Sequence, residues 1–544
     1  MMMTSNLNES YKFTTRGVML AALFTVHSSL LVSTAQAQTV DSWNDAFVNQ
    51  PMNVRYESHS PVRLAFNSQQ DFAVAYGGYQ LLKGDFHAID QSADAHYVDV
   101  FIGGLRRIKN FSLAGHINYK NQKDNEQSWN STLWNLPNNP FTLCDSVPGD
   151  ATTESYDIRA TAAYECGTHL KLGLDIGLRT GHRSDQNDPR PRSTTSQLPI
   201  TAGIDYQITD NWSTGLLAGL SFTSSVIEYT SVQPTVTYRY FLMKGVGDYA
   251  KRSSSDESGY KRDYQGTNYH AALNATWQPK NGCMANFLEL QVAANSQEAT
   301  DGGLSYTFHG GEYRETVFSF HNRFQLRNTA FIHNLTLNAA YTDGKGIWYD
   351  QKRLTDIEHG SVIYYEVLSK NTNHKLQCLD ASLRYQFDLL CAEGRKNLFA
   401  ALSGTMESIT RKQLLGDATP KQEIQTVDLA LEVGKTLYMN KVTLLAQLNG
   451  GLRTPQKQTY ASGCIYTDDE NIDAVYTRHV FEYETAQSWR IGATVDVSMP
   501  VSDKLTAGIY AKGRYQAYSG KNDYWQGYDG THLTTADFGA YIKF

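Results

Sequence analysis

Apolar and polar residues alternate one for one along much of this chain. The clearest run carries Leu170, Leu172, Leu174, Ile176 and Leu178 on one side, with Lys171, Gly173, Asp175, Gly177 and Arg179 between them. A period of two marks a β-strand with two different faces. The pattern recurs at 111–119, 156–164, 198–208, 269–277, 331–341, 379–387, 427–433, 442–452, 489–497 and 505–515. Strands of soluble sandwiches average about five or six residues. These run to about eleven, the length that crosses a bilayer at a tilt. Tyr or Trp often closes the apolar face, as an interfacial girdle requires.

The connections alternate as well. Short turns are expected at 108–110, 166–168, 209–211, 279–282, 327–329, 390–397, 439–441 and 499–503, and long polar loops at 121–153, 225–262, 343–373 and 454–487. Short periplasmic turns and long outer loops define an all-β, transmembrane antiparallel β-barrel, here of about 18 strands with 16 to 20 acceptable. The first strand is expected at 72–82 and the last at 533–544, which places both chain ends on the periplasmic side. Phe538, Ala540, Ile542 and Phe544 then face lipid, with the aromatic terminus at the periplasmic rim.

Lys12 and Arg16 precede an apolar stretch at 18–32 and the small-residue site Ala35-Gln36-Ala37, which together read as a secretory signal peptide. The expected organisation is a signal at 1–37, a short periplasmic segment at 38–71 and the barrel at 72–544. Cleavage would expose Gln38, which offers no cysteine to a lipid anchor. The segment 38–71 is too short for the folded plug of an energised receptor, so a tail or a small lumen constriction is expected. Beyond the signal no apolar run reaches the ~18 residues of a membrane helix. A closed barrel is the remaining way to satisfy backbone groups in lipid.

Composition agrees: mean hydropathy is −0.45, and 34 Tyr and 41 Gly stand against 13 Pro, as strands half in lipid and half in a wet lumen require. Loss of Glu9, Lys12 and Arg16 with the signal moves the net charge from −7 to −8. That balance excludes nucleic acid as a partner, because phosphate binding needs clustered positive charge.

The lumen-lining candidates are Lys171, Asp175, Arg179, His270, Arg323, Arg384, Arg490, Lys512 and Arg514. They read as a solvated, mutually paired wall, or, for Lys512 and Arg514 near Arg490, as a basic stripe selecting anionic solutes. Aromatic loop patches at Trp348 with Tyr349 and at Tyr524 with Trp525 serve either as contact surfaces or as loop self-packing over the mouth. The acidic run Asp468, Asp469, Glu470 and Asp473 lacks the glycine and terminal glutamate of an EF-hand, so no metal is expected. The six cysteines show no metal spacing, and one loop bridge among Cys144, Cys464 and Cys378 is the alternative to unpaired thiols. There is no HExxH, GxSxG or phosphate-loop motif; neither enzymatic activity nor a cofactor is expected.

The loop run Leu136-Pro-Asn-Asn-Pro-Phe141, with Asp145-Ser-Val-Pro-Gly149, the strand opening Glu154-Ser-Tyr-Asp-Ile158 and the terminal Phe544 resemble a group of outer-membrane barrels from Bacteroidota. The resemblance implies a plug-less barrel working beside a TonB-dependent receptor and a surface lipoprotein in iron–siderophore scavenging. It supplies no ligand residues. Two functions follow as expectations: nutrient uptake as a passive pore or receptor partner, or a structural or assembly partner with an occluded lumen.

Overall fold

The structure, a computed structural model, describes residues 54–544 apart from 67–70, 135, 234, 255–258, 281, 304–305, 359–361, 393, 415–418, 462–470, 521–527 and 529. The barrel strands are β1 (Phe72–Lys83), β2 (Asp94–Ile108), β3 (Phe111–Gln127), β5 (Gly149–Cys166), β6 (Leu170–Asp185), β7 (Arg192–Gln207), β8 (Trp212–Thr230), β11 (Gly259–Trp277) and β12 (Met284–Gly302). They continue as β13 (Thr307–Arg327), β14 (Phe331–Asp356), β15 (Val362–Leu390), β16 (Lys396–Gln413), β17 (Lys421–Met439), β18 (Val442–Ala461), β19 (Ser488–Ser502), β20 (Leu505–Tyr518) and β21 (His532–Lys543). Three further strands, β4 (Leu143–Cys144), β9 (Arg239–Gly245) and β10 (Asp248–Ser253), form a separate small sheet in the loops.

The expected 18 strands are present as one antiparallel sheet that closes on itself, β1 pairing with β21. At the seam the Phe544 N–H donates to the Ala73 carbonyl at 2.8 Å and the Ala73 N–H to the Phe544 carbonyl at 3.3 Å. Closure removes every sheet edge, which is the condition for a sheet to stand in hydrocarbon. The alternation maps onto the two faces as read: Leu172, Leu174, Ile176 and Leu178 are exposed outward, as are Phe538, Ile542 and Phe544. Aromatic pairs ring the belt, with Phe111–Tyr164 and Trp212–Trp277 at its lower rim and Tyr119–Tyr156 and Trp489–Tyr515 at its upper rim.

The long loops are corrected. Most of the expected loop at 343–373 is strand, because β14 and β15 pair from Phe331↔Leu389 up to Asp356↔Val362. The strands outrun the membrane and continue the wall as a collar. Above the lipid the outward face meets water instead of hydrocarbon while the inner face packs on the inward-folded loops, so the apolar-out, polar-in alternation that reveals a membrane strand is lost, while the backbone still gains by pairing.

Candidate functional site

Two sets of residues occupy the inside of the barrel. At the periplasmic end the chain ahead of β1, Val54–Glu57 and Pro61–Phe66, forms two short helical turns lying along the inner wall. Arg323 on β13 is ion-paired with Glu57. Glu289 on β12, almost fully buried, accepts from the Ser58 hydroxyl at 2.9 Å and meets the His59 ring at 2.5 Å. Leu64 and Ala65 complete an apolar cluster with Phe72, Val74, Phe101, Leu105 and Ala163. The segment thus follows an arc from β13 round to β1, narrowing one side of the lumen.

At the outer end the loops fold inward and join into a cap. Leu143, Tyr240 and Leu242 from the small sheet pack with Ile227, Tyr229, Tyr260 and Tyr264 of the wall. Behind them Trp129, Cys144, Phe241, Met243, Tyr249 and Ile472 tie three loops together. The chain after β18 forms a short helical turn, Asp473–Thr477, that continues as α1 (Arg478–Glu484). Phe481 of α1 packs on Leu376, Cys378, Ile409 and Ile424 of β15–β17, and Glu484 receives a two-pronged contact from Arg411 of β16. Phe86 and Tyr528 close the cap over β20 and β21. Contacts therefore reach the inner wall on opposite sides of the mouth. Within the interface Arg262 and Asp301 are both fully buried and doubly hydrogen bonded, at 2.5 and 2.6 Å.

The lumen candidates are dispersed and mostly paired. Lys171 lies 3.3 Å from Glu165 and against the Phe66 ring. Asp175 accepts from Arg159 at 2.8 Å. Arg179 stacks on Trp134 at 4.0 Å, and His270 sits between Thr201 and Asn268. Arg384 meets Glu432 at 3.0 Å. Arg490 is bidentate on Asp428 at 2.5 and 2.6 Å, and Lys512 lies 3.8 Å from Asp537. In the suggested basic stripe Arg514 alone faces no carboxylate at ion-pair distance among the described residues; it donates to Gln516 at 2.9 Å. Asp428 thus neutralises the largely buried Arg490, as a desolvated charge requires, while the half-exposed Lys512 stands beside Asp537.

Trp348 stacks on Phe141 and carries Lys244 over its ring. Tyr349 is buried against His309 and donates to Glu312 at 3.0 Å. Both side chains therefore make packing contacts within the collar and the cap. Tyr524, Trp525, Cys464, Asp468, Asp469 and Glu470 lie outside the described residues, as does the expected signal peptide. No disulfide joins the described cysteines, and among the described residues no cluster of metal ligands forms.

Sequence reasoning missed the lumen role of Glu57, Ser58 and His59, although a signal for it exists. Gly173 and Gly203 pair directly across β6 and β7. A Cβ on either would strike the segment, at 2.5 Å from the Val62 nitrogen and 2.2 Å from the Ser60 hydroxyl oxygen. Glycine inside a strand marks the close approach of another backbone.

Of the carboxyls that the cap holds away from water, two are pushed up furthest. Burial pushes Asp145 up to about 7, although the Val147 N–H donates to it at 2.9 Å. Burial likewise pushes Glu482 of α1 up to about 7; neither of its oxygens has a hydrogen-bond partner. His479 is held down to about 4, by burial first and then by His87. The folded cap prefers both acids protonated, so its stability falls as pH rises through 7, while His479 opposes this only below its ordinary value near 6.5. The cap is expected to be firmer at pH 6.5 than at pH 8, by about tenfold in its opening equilibrium. Open probability of the reconstituted barrel at the two pH values checks this, and equal values would sink it.

A closed 18-stranded barrel with an apolar belt, aromatic rims and loops folded into its mouth defines an outer-membrane β-barrel protein. The chain belongs to the family of unknown function DUF6850, whose model matches residues 61–544. No curated protein matches the sequence. Among solved structures it is similar to the open form of the ferric-catecholate import receptor Fiu of E. coli K12, at 10% identity over 88% of this chain and 82% of that one, with a TM-score of 0.39. It is also similar to the RagAB peptide transporter, at 8% identity over 88% and 87%, TM-score 0.40. A third is the siderophore receptor PiuA of Acinetobacter baumannii, at 9% over 88% and 82%, TM-score 0.39.

Proposed function

We propose that this barrel assists nutrient uptake across the outer membrane as a passage held shut by its own loops and opened through a partner. The observation that carries the reading is the cap, whose apolar clusters bridge opposite sides of the mouth. An 18-stranded wall is wide enough to enclose an aqueous channel, so closure here depends on the inward-folded loops rather than on barrel size. The family resemblance supports an iron–siderophore as cargo and a TonB-dependent receptor and surface lipoprotein as partners. A second reading, a structural or assembly partner with a permanently occluded lumen, is favoured by the paired charges that hold residues 54–66 in the periplasmic end.

Single-channel recording in planar bilayers separates the two. The intact barrel is expected to be silent apart from rare openings. A variant with loop residues 130–147 and 239–253 replaced by short Gly/Ser linkers is expected to conduct in ohmic steps. Ohmic conduction by the intact barrel would overturn closure by the cap. A silent but correctly folded loop variant would favour the occluded reading.

A further inference from the structure

Five cations on adjacent strands stand directly opposite one another on the outer face of the barrel. In the ladders Arg314 of β13 pairs with Lys345 of β14, Lys345 with Lys375 of β15, Lys375 with Lys412 of β16, and Lys412 with Lys421 of β17. Lys345, Lys375 and Lys412 are exposed, and so is the Arg314 side chain. Strands about 4.8 Å apart make this a row roughly 19 Å long. Like charges directly opposite each other destabilise a sheet. Arg314 is relieved by Glu312 and Lys421 by Glu423. Among the described residues Lys345, Lys375 and Lys412 have no ion-pair partner, and Asp343, two residues before Lys345 on the same face, makes none with them.

Elsewhere in the collar acids stand among the cations. Glu228 of β8 stands in register between Arg192 of β7 and Lys261 of β11, and Lys123 meets Asp150 at 3.7 Å. The height of the row indicates what replaces the missing acids. The outward-facing apolar residues nearest below it on β13, β14 and β15 are Phe318, Tyr341 and Leu379, each four residues from the cation on its strand. At about 3.3 Å per residue and a tilt near 45° this is roughly 9 Å above the belt, within reach of lipid headgroups for a lysine stem.

We propose that Lys345, Lys375 and Lys412, flanked by Arg314 and Lys421, form a binding site for the phosphate group of an anionic lipid in the outer leaflet. The lipid phosphate supplies the negative charge that the neighbouring strands omit. Its acyl chains lie along Phe318, Tyr341 and Leu379 below. The site holds one side of the barrel against a particular lipid and relieves the lysine row.

The test uses the full chain in uncharged detergent, titrated with phosphatidic acid and, separately, with diacylglycerol of the same chains, with bound lipid counted by native mass spectrometry. The variant carries Lys345→Gln, Lys375→Gln and Lys412→Gln. Wild type is expected to bind phosphatidic acid at least about tenfold more tightly than the variant, given the contribution of each lysine near an anionic surface, while diacylglycerol binds both alike. The exposed substitutions remove repulsion, so the variant is expected to fold, which heat-modifiable gel mobility checks; Lys375→Gln alone, with a smaller loss in the same direction, serves as the second variant. Equal affinity of wild type and variants for phosphatidic acid overturns the site. Inorganic phosphate displacing the lipid at equal concentration overturns the lipid assignment and leaves a free-anion site instead.

Discussion

Asp301→Ala is expected to loosen the outer cap more than any other single side-chain truncation in it, by about 3–5 kcal/mol. The substitution leaves the Arg262 guanidinium with no exposed surface and only a long contact to the Tyr264 hydroxyl, 3.4 Å away. Tyr264 in turn donates to the Phe141 carbonyl at 2.8 Å, so the disturbance passes from the wall into the loop it holds. The 18-strand ladder is untouched, and the folded barrel should still migrate as a closed species on unheated gels. The measurement is protease cleavage of the loop at 128–148 in the intact barrel, together with single-channel open probability. Both are expected to rise sharply. The double change Arg262→Met with Asp301→Leu, which removes both charges, is expected to restore most of the loss; a double variant as loose as Asp301→Ala would mean that shape rather than charge holds this contact.

Gly311→Ala is expected to cost about 2–4 kcal/mol, again in the cap rather than the belt. Gly311 has φ of +114°, which side chains rarely adopt, and lies at a bulge where Ala299 pairs with Gly311 but Thr300 with His309. Its absent Cβ is the space that the Phe141 ring fills, since an added one would lie 2.4 Å from the ring. The strain of the conformation and the collision add, and Phe141 is expected to leave its slot. Loss of the Phe141–Trp348 stacking should appear as a change in tryptophan fluorescence. Gly450→Ala is the control, because its nearest neighbour is 3.6 Å from an added Cβ and its φ is ordinary. Equal effects at the two positions would refute the role given to Gly311.

The strands were legible because lipid and water impose opposite demands on alternate residues, and a run such as Leu170 to Leu178 records both demands residue by residue. Strand number and pairing order followed from counting short turns, since an antiparallel barrel pairs neighbours in sequence. The collar was not legible: from Gly344 to Asp356 on β14 no face meets lipid, part of the stretch packs on the cap through Trp348 and the buried Tyr349, and pairing rests on backbone groups that leave no period-two pattern in side chains. The lumen was legible only as a list of inward charges. Whether Arg490 selects an anion or simply answers Asp428 depends on a partner 62 residues away, and no local spacing encodes that.

Sequence alone determined the class of the protein and the environment it was built for, because the period of two and the aromatic rims are local responses to a membrane. Only the tertiary structure decided that the mouth is filled, that residues 54–66 lie against the inner wall, and that five cations from five strands stand in one row. Each of these depends on the register in which distant segments meet, and register is set by closure of the whole barrel rather than by any stretch of the chain.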